Sequence, residues 1–193
     1  NYRVIFSMAS REDPAFLFIE NYIKLNREKF SQGLLENRTV IANPSGNRGE
    51  KVNNSLSALP YVPDSTLVLV FSDADAVPKT DWLRSLVGPL SEASLTVSTG
   101  FRWYLPGTSF ASQLRAAWDT SIATLLGDHD QNFAWGGSMA IRQAEFKRLN
   151  IRDVWQNAVS DDYTLTNAVR QAGGKIRFEP RCLLASREES SLK

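Results

Sequence analysis

Thr66-Leu67-Val68-Leu69-Val70-Phe71 runs straight into Ser72-Asp73-Ala74-Asp75. The first six residues are β-branched or apolar, with no polar alternation. That pattern reads as a strand buried on both faces, as strands are inside an α/β sheet. The strand halts in two carboxylates separated by one residue. Open α/β sheets bind their ligands just beyond the carboxyl ends of their strands, so the decisive strand also points at a site.

Strand-like and helix-like stretches alternate on both sides of it, the pattern of an α/β fold. Upstream, Arg3 to Ala9 reads as a buried strand. Pro14 to Asn26 reads as a helix capped by Asp13, Thr39 to Ala42 as a short strand, and Glu50 to Leu59 as a helix burying Val52, Leu56 and Leu59. Downstream, a helix is expected over Lys79 to Leu90, broken at Gly88-Pro89, then an extended stretch from Leu95 to Tyr104. Phe110 to Leu126 is expected as a long helix with Leu114, Trp118, Ile122 and Leu125 as its buried stripe. A strand within Ala134 to Ile141 and a short helix over Phe146 to Asn150 follow. A helix over Asp161 to Ala172 should stop at Gly173-Gly174, before extended segments at Lys175 to Phe178 and Cys182 to Ala185.

Composition narrows the chemistry. The 193 residues suffice for one domain with a core. With 22 Lys+Arg against 21 Asp+Glu the net charge is +1, which argues against nucleic acid as a partner. One Cys (Cys182) and one His (His129) exclude an internal disulfide and a Cys/His zinc site. Strictly apolar runs reach five residues, as in Leu67 to Phe71, far short of the ~20 that span a bilayer. The chain starts at Asn1 rather than Met, so it reads as a piece of something longer. Catalysis is left to Asp, Glu, Lys, Arg, Ser or Tyr.

Four stretches could supply it. Asp73 and Asp75 can hold a ribose hydroxyl and a hard divalent cation, Mg²⁺ or Mn²⁺, or they form an acidic solvated turn. Asp161 and Asp162 open a helix. One suffices as a cap, so the second is a candidate general base. Gly136-Gly137, between Trp135 and Ser138, lets backbone approach a ligand closely or marks a kinked strand; neither the dinucleotide fingerprint nor the P-loop spacing is present. Lys51, with Asn53 and Asn54, follows a glycine-containing loop and suits phosphate or simply solvent. Trp103, Trp118, Trp135 and Trp155 read as core, with Trp103-Tyr104 and Trp135 the better candidates for an exposed aromatic wall. Arg102 suits a phosphate or a partner carboxylate. His129 reads as a loop residue and Cys182 as buried packing.

In order, Lys51-x-Asn53-Asn54, the strand ending in Asp73-Ala74-Asp75, TGFRWYLP (Thr99 to Pro106), WGGSMAIR (Trp135 to Arg142) and SDDYTLTNAVRQAGGKIRF (Ser160 to Phe178) resemble the inverting glycosyltransferases of family 2. They resemble more closely the ceramide glucosyltransferase-like branch, family 21. The resemblance covers nearly the whole chain and implies a GT-A fold with a mixed, mostly parallel sheet flanked by helices, a UDP-sugar donor (UDP-glucose first) and a divalent metal. It also implies a lipid acceptor of ceramide, diacylglycerol or hopanoid type. By the family pattern Asp73 contacts the nucleotide, Asp75 with Asp73 holds the metal, and Lys51 lies near the donor. Asp162 is then the general base beside Asp161, and Trp135, Gly136 and Gly137 border the pocket where acceptor and donor sugar meet.

The implied reaction is a single displacement: Asp162 takes a proton from the acceptor hydroxyl, whose oxygen attacks the anomeric carbon opposite the diphosphate. It needs neither His nor Cys. Family members also carry an earlier nucleotide-binding strand, a Gln/Arg-x-x-Arg-Trp motif and membrane segments, none of which is found here. The expectation is therefore a soluble interior stretch of one catalytic domain, incomplete at both ends. Segments outside this stretch would hold the longer protein at the cytoplasmic face of a membrane. Two other readings stay open: a metal-dependent nucleotidyltransferase, and a non-catalytic nucleotide-sugar-binding module.

Overall fold

The structure is a computed structural model and describes residues 2–26 and 35–190. The chain divides into two compact units, Asn1–Ser65 with Arg152–Asp161, and Thr66–Ile151 with Asp162–Lys193.

In the first unit, β1 (Tyr2–Met8) pairs in parallel with β2 (Leu35–Ile41). Helix α1 (Pro14–Leu25) starts as its sequence predicts: Pro14 occupies the first turn, and Asp13 Oδ1 accepts the Ala15 amide at 2.9 Å. Helix α2 (Glu50–Ala58) buries Val52 and Leu56. A single 3₁₀ turn continues it over Leu59–Tyr61.

The second unit holds a four-stranded sheet. Its strands are β3 (Val68–Ser72), β4 (Leu95–Pro106), β5 (Ser138–Arg142) and β6 (Lys175–Glu188), in the spatial order β3-β5-β4-β6. β5 lies antiparallel to both neighbours, and β4 pairs in parallel with β6. The expected mixed α/β architecture is present; among the described residues two strand pairings are parallel and two antiparallel, an even split in place of the expected parallel majority.

Helix α3 (Trp82–Val87) begins later than expected, because the Trp82 amide closes a turn onto Lys79 O. A 3₁₀ turn over Gly88–Ser91 follows, at the expected break. Trp82, Leu86 and Leu90 pack with Ala140, Cys182 and Leu184 as a core cluster. Helices α4 (Phe110–Ala123), α5 (Gln143–Arg148) and α7 (Asp161–Gln171) flank the sheet, and the short α6 (Ile151–Val154) precedes α7. Gly173, at φ 70°, ends α7: its amide donates to Arg170 O, and the Gly174 amide to Val169 O.

Three packing expectations are corrected. β3 is not buried on both faces: Leu69 is buried, Val68, Val70 and Phe71 are half-buried, and Leu67, just before the strand, is 82% exposed. The reason is position, since β3 is an edge strand of its sheet with β5 as its partner there. The two extended segments near the end form one strand, β6. Its pairing with β4 jumps from Phe178 to Leu183 opposite Thr99 and Phe101, across Pro180, which has no N–H to give a ladder.

The third correction concerns α4. Most of its expected buried stripe faces outward: Leu114 is 54%, Trp118 71% and Leu125 61% exposed and only Ile122 is half-buried, while Ser112 and Ala116 are buried. Trp118 is thus not core, Trp103 is exposed, Trp135 is half-buried, and Trp155 is fully buried. The small residues let the helix pack closely on β4. Leu114→Gln and Trp118→Gln should therefore change unfolding free energy by no more than about 0.5 kcal/mol, against about 2–5 kcal/mol for truncating a core side chain. Denaturant unfolding followed by circular dichroism checks this. A loss above about 2 kcal/mol would return the stripe to the core.

Candidate active site

The antiparallel register of β3 and β5 builds the centre of the site. Ser72 pairs with Ser138, so the next residues outward are Asp73 and Gly137, and the Asp73 amide donates to Gly137 O at 3.3 Å. Two motifs 64 positions apart in sequence are thereby brought side by side. The loop before β5 is held along its length. The Ala134 amide donates to Thr166 Oγ1 at 2.9 Å, the Trp135 amide to Thr99 Oγ1 at 2.9 Å, and the Gly136 amide to Asp162 Oδ2 at 3.0 Å. Asp162 and Thr166 stand one helical turn apart on α7, so a single face of that helix holds the loop at both Gly136 and Ala134.

Asp162 is half-buried, and its other oxygen, Oδ1, accepts the Tyr163 amide at 2.7 Å. Backbone donors on both oxygens fix the plane of the carboxylate.

Gly137 has no room for a side chain. A Cβ there would lie 2.3 Å and 2.4 Å from Trp135 ring carbons and 2.5 Å from Asp73 Oδ2. The glycine thus permits a rigid aromatic ring and a carboxylate to close over the backbone.

Asp73 is half-buried and paired with Arg102 on β4, Nη2 to Oδ2 at 3.2 Å. The same guanidinium donates through Nη1 to Tyr104 Oη at 2.7 Å and lies over the Trp135 ring at 5.3 Å from its centroid. Arg115 of α4 donates to the same phenol oxygen at 2.7 Å. Burial pulls the Arg102 pKa down; hydrogen bonding and charge from Tyr104, with Asp75 and Asp73, more than offset this and leave it above its ordinary value. Burial pushes the Asp119 carboxyl up, while Arg102 and Arg115 pull it back. Asp75 is exposed and lines a cleft together with Ala76, Arg102, Trp135 and Leu184.

The expected site residues are divided between the two units. In the second unit, Asp73, Trp135, Gly136, Gly137 and Asp162 converge on one loop, with Asp75 on the cleft beside Trp135. In the first, Lys51 Nζ pairs with the buried carboxylate of Asp161, reaching Oδ2 at 3.4 Å. The start of α2 is held against residues 156–158: Arg48 donates to Gln156 Oε1 at 2.7 Å and the Gly49 amide to Ala158 O at 2.9 Å. Asn53 is buried, its amide group on Asn43 O at 2.6 Å, so it holds the preceding turn. The consecutive Asp161 and Asp162 thus have different partners, a lysine and backbone amides.

Arg142 caps carbonyls of Leu90, Glu92 and Ala93. His129 is an exposed loop residue. Cys182 is buried, and burial first, with Glu179 nearby, pushes its thiol to about 12, so it is inert packing.

Sequence reading missed Thr99, Thr166, Arg115 and Asp119. Two i, i+4 spacings carried the signal: Asp162 with Thr166, and Arg115 with Asp119.

Among the described residues, no group of three or more His, Cys, Asp or Glu side chains is gathered for a metal. The donor set available is the carboxylate pair Asp73 and Asp75. Oxygen-only donors, one of them exposed on a cleft, fit a hard divalent cation of the kind completed by phosphate oxygens and water. No helix among the described residues is long and apolar enough to cross a membrane.

Carboxylates and arginines gathered on an α/β scaffold suit oxygen acid–base chemistry. The sequence matches the profile of Glycosyl transferase family 21 over residues 1–193, and the chain belongs to that family. It is a glycosyltransferase. No curated protein sequence matches it.

Among solved structures it is similar to the glucosyl-3-phosphoglycerate synthase of Mycobacterium tuberculosis. The form in complex with Mn²⁺, UDP and phosphoglyceric acid is 15% identical at a TM-score of 0.48, over 97% of this chain and 71% of that one. The form with UDP is 14% identical at a TM-score of 0.47, over 99% and 72%.

Proposed function

We propose that this chain is a glycosyltransferase catalytic domain that moves a sugar, glucose, from a UDP-sugar to the hydroxyl of a membrane lipid, with inversion. The acceptor class is ceramide, diacylglycerol or hopanoid, and the work is done at the cytoplasmic face of a membrane. The observation that supports this best is the loop Trp135-Gly136-Gly137, to which the Asp162 carboxylate and the Asp73 backbone are both hydrogen-bonded. A base whose carboxylate is held by Gly136 and a donor-binding residue whose backbone is held by Gly137 can serve one displacement.

In this reading Asp73 binds the nucleotide, and Lys51 keeps the donor-side role that the family pattern gives it. Asp75 and Asp73 would hold Mn²⁺ or Mg²⁺, which supplies charge neutralisation at the departing diphosphate. Asp162 accepts the proton of the attacking hydroxyl, and its two backbone donors keep the carboxylate aimed while it does so. Trp135, Gly136 and Gly137 form the wall against which acceptor and donor sugar meet.

The test is sugar transfer from a panel of labelled UDP-sugars to lipid extracts in the presence of Mn²⁺ or Mg²⁺. Label should enter the organic phase from UDP-glucose. Transfer only to water-soluble acceptors would overturn the lipid assignment, and transfer from another UDP-sugar the glucose assignment.

Asp75→Asn separates the metal assignment from turnover. With Mn²⁺ present, the variant should bind UDP about tenfold or more weakly than the parent by calorimetry, and about equally in EDTA. Equal affinity in both conditions would remove Asp75 from the metal site.

A further inference from the structure

Arg102 touches two of the site residues, Asp73 and Trp135. We propose that Arg102, clamped by Tyr104 and Arg115, is the positioning residue that aims Asp73 at the donor nucleotide. The inference rests on the reading above that Asp73 binds that nucleotide.

A guanidinium is a planar fork, so fixing one arm fixes the direction of the other. Here one arm, Nη1, is tied to Tyr104 Oη at 2.7 Å, and the other, Nη2, reaches Asp73 Oδ2 at 3.2 Å. Tyr104 is itself held from the far side by Arg115 at 2.7 Å. A phenol oxygen has two acceptor positions, and the two arginines use both.

Bringing two cations to one oxygen is electrostatically costly. Asp73 sits on one of them, and Asp119 acts on both. The plane of Arg102 is limited further by Trp135, whose ring lies 5.3 Å from the guanidinium carbon. That indole also closes over Gly137, where Asp73 Oδ2 is the other close neighbour. The carboxylate, the arginine and the indole thus form one interlocked set at the cleft that Asp75 lines.

A lysine at 102 could neutralise Asp73, but it could not tie that carboxylate to Tyr104 through a rigid plane. Half-buried and outside the apolar core cluster, Arg102 does work for Asp73 that hydrophobic packing does not explain.

The experiment is UDP binding by calorimetry with Mn²⁺ present, alongside thermal melting, for Arg102→Lys, Tyr104→Phe, the double variant and Asp73→Asn. Arg102→Lys and Tyr104→Phe should each weaken UDP binding by about tenfold, the size of one charge-assisted hydrogen bond. The double variant should be little worse than either single one, because both break the same clamp. Melting temperatures should stay close to the parent's, since Tyr104→Phe removes one hydroxyl at a half-buried position.

A lowered melting temperature with UDP affinity unchanged within twofold would reduce the clamp to a structural role and overturn the inference. Weak binding by Asp73→Asn with parental binding by the other variants would overturn it while leaving the donor site intact. Parental binding by Asp73→Asn would remove the donor assignment itself, and the inference with it.

Discussion

Replacing Asp162 by Asn should cut sugar transfer by about 10²–10⁴-fold while leaving UDP affinity within about twofold. The rate loss is the usual contribution of a positioned general base. An amide cannot take the hydroxyl proton, so the acceptor oxygen would have to attack without assistance. Affinity should survive because Asn keeps a carbonyl oxygen where Asp162 accepts the Gly136 amide at 3.0 Å. The loop that carries Trp135 and Gly137 therefore keeps its anchor, and Thr166 still holds Ala134 one turn further along α7. Steady-state transfer and UDP calorimetry on the same preparation separate the two effects. Transfer within tenfold of the parent would move the base elsewhere. Loss of UDP binding would mean that Asp162 acts through the loop and not on the acceptor.

Local signals were legible wherever they are written in adjacent residues. Asp13-Pro14 starts α1 and Gly173-Gly174 stops α7 because capping and positive φ depend on the few residues at the helix end. Composition narrowed the types of candidate catalytic residue for a different reason: one His and one Cys left Asp, Glu, Lys, Arg, Ser or Tyr.

What the chain does not show locally is which face is covered. The large apolar residues of α4 are spaced as a core stripe, yet the face with Ser112 and Ala116 packs inward. Arg115 and Asp119 also lie away from that stripe, in a polar cluster with Tyr104 and Arg102. Taking Leu114, Trp118 and Leu125 as core is what kept those two from view. The same limit applies to β3, whose apolar run could not say that it is an edge strand. Site geometry depended on register. Only the pairing of Ser72 with Ser138 puts Asp73 against Gly137, and only β4, running alongside β5, brings Arg102 to Asp73.

That register makes Gly137→Ala the most damaging small substitution in the site. The added methyl would sit within 2.5 Å of the Trp135 ring and of Asp73 Oδ2. Neither neighbour can yield cheaply. The indole packs edge-on against Phe101 at 5.7 Å and beneath Arg102, so turning it disturbs both. Asp73 is tied through Arg102 to Tyr104, and moving its carboxylate breaks the 3.2 Å ion pair. Overpacking of this kind costs about 1–3 kcal/mol. The expected result is a clear fall in melting temperature together with at least about tenfold weaker UDP binding, because the displaced groups are the ones assigned to the donor. Gly46→Ala is the matched control: nothing lies within 4 Å of a Cβ there, so the same methyl should leave both quantities near the parent's. A Gly137→Ala variant with parental UDP affinity would show that Asp73 and Trp135 can part without loss, and would take Trp135, Gly137 and Asp73 out of the donor site together.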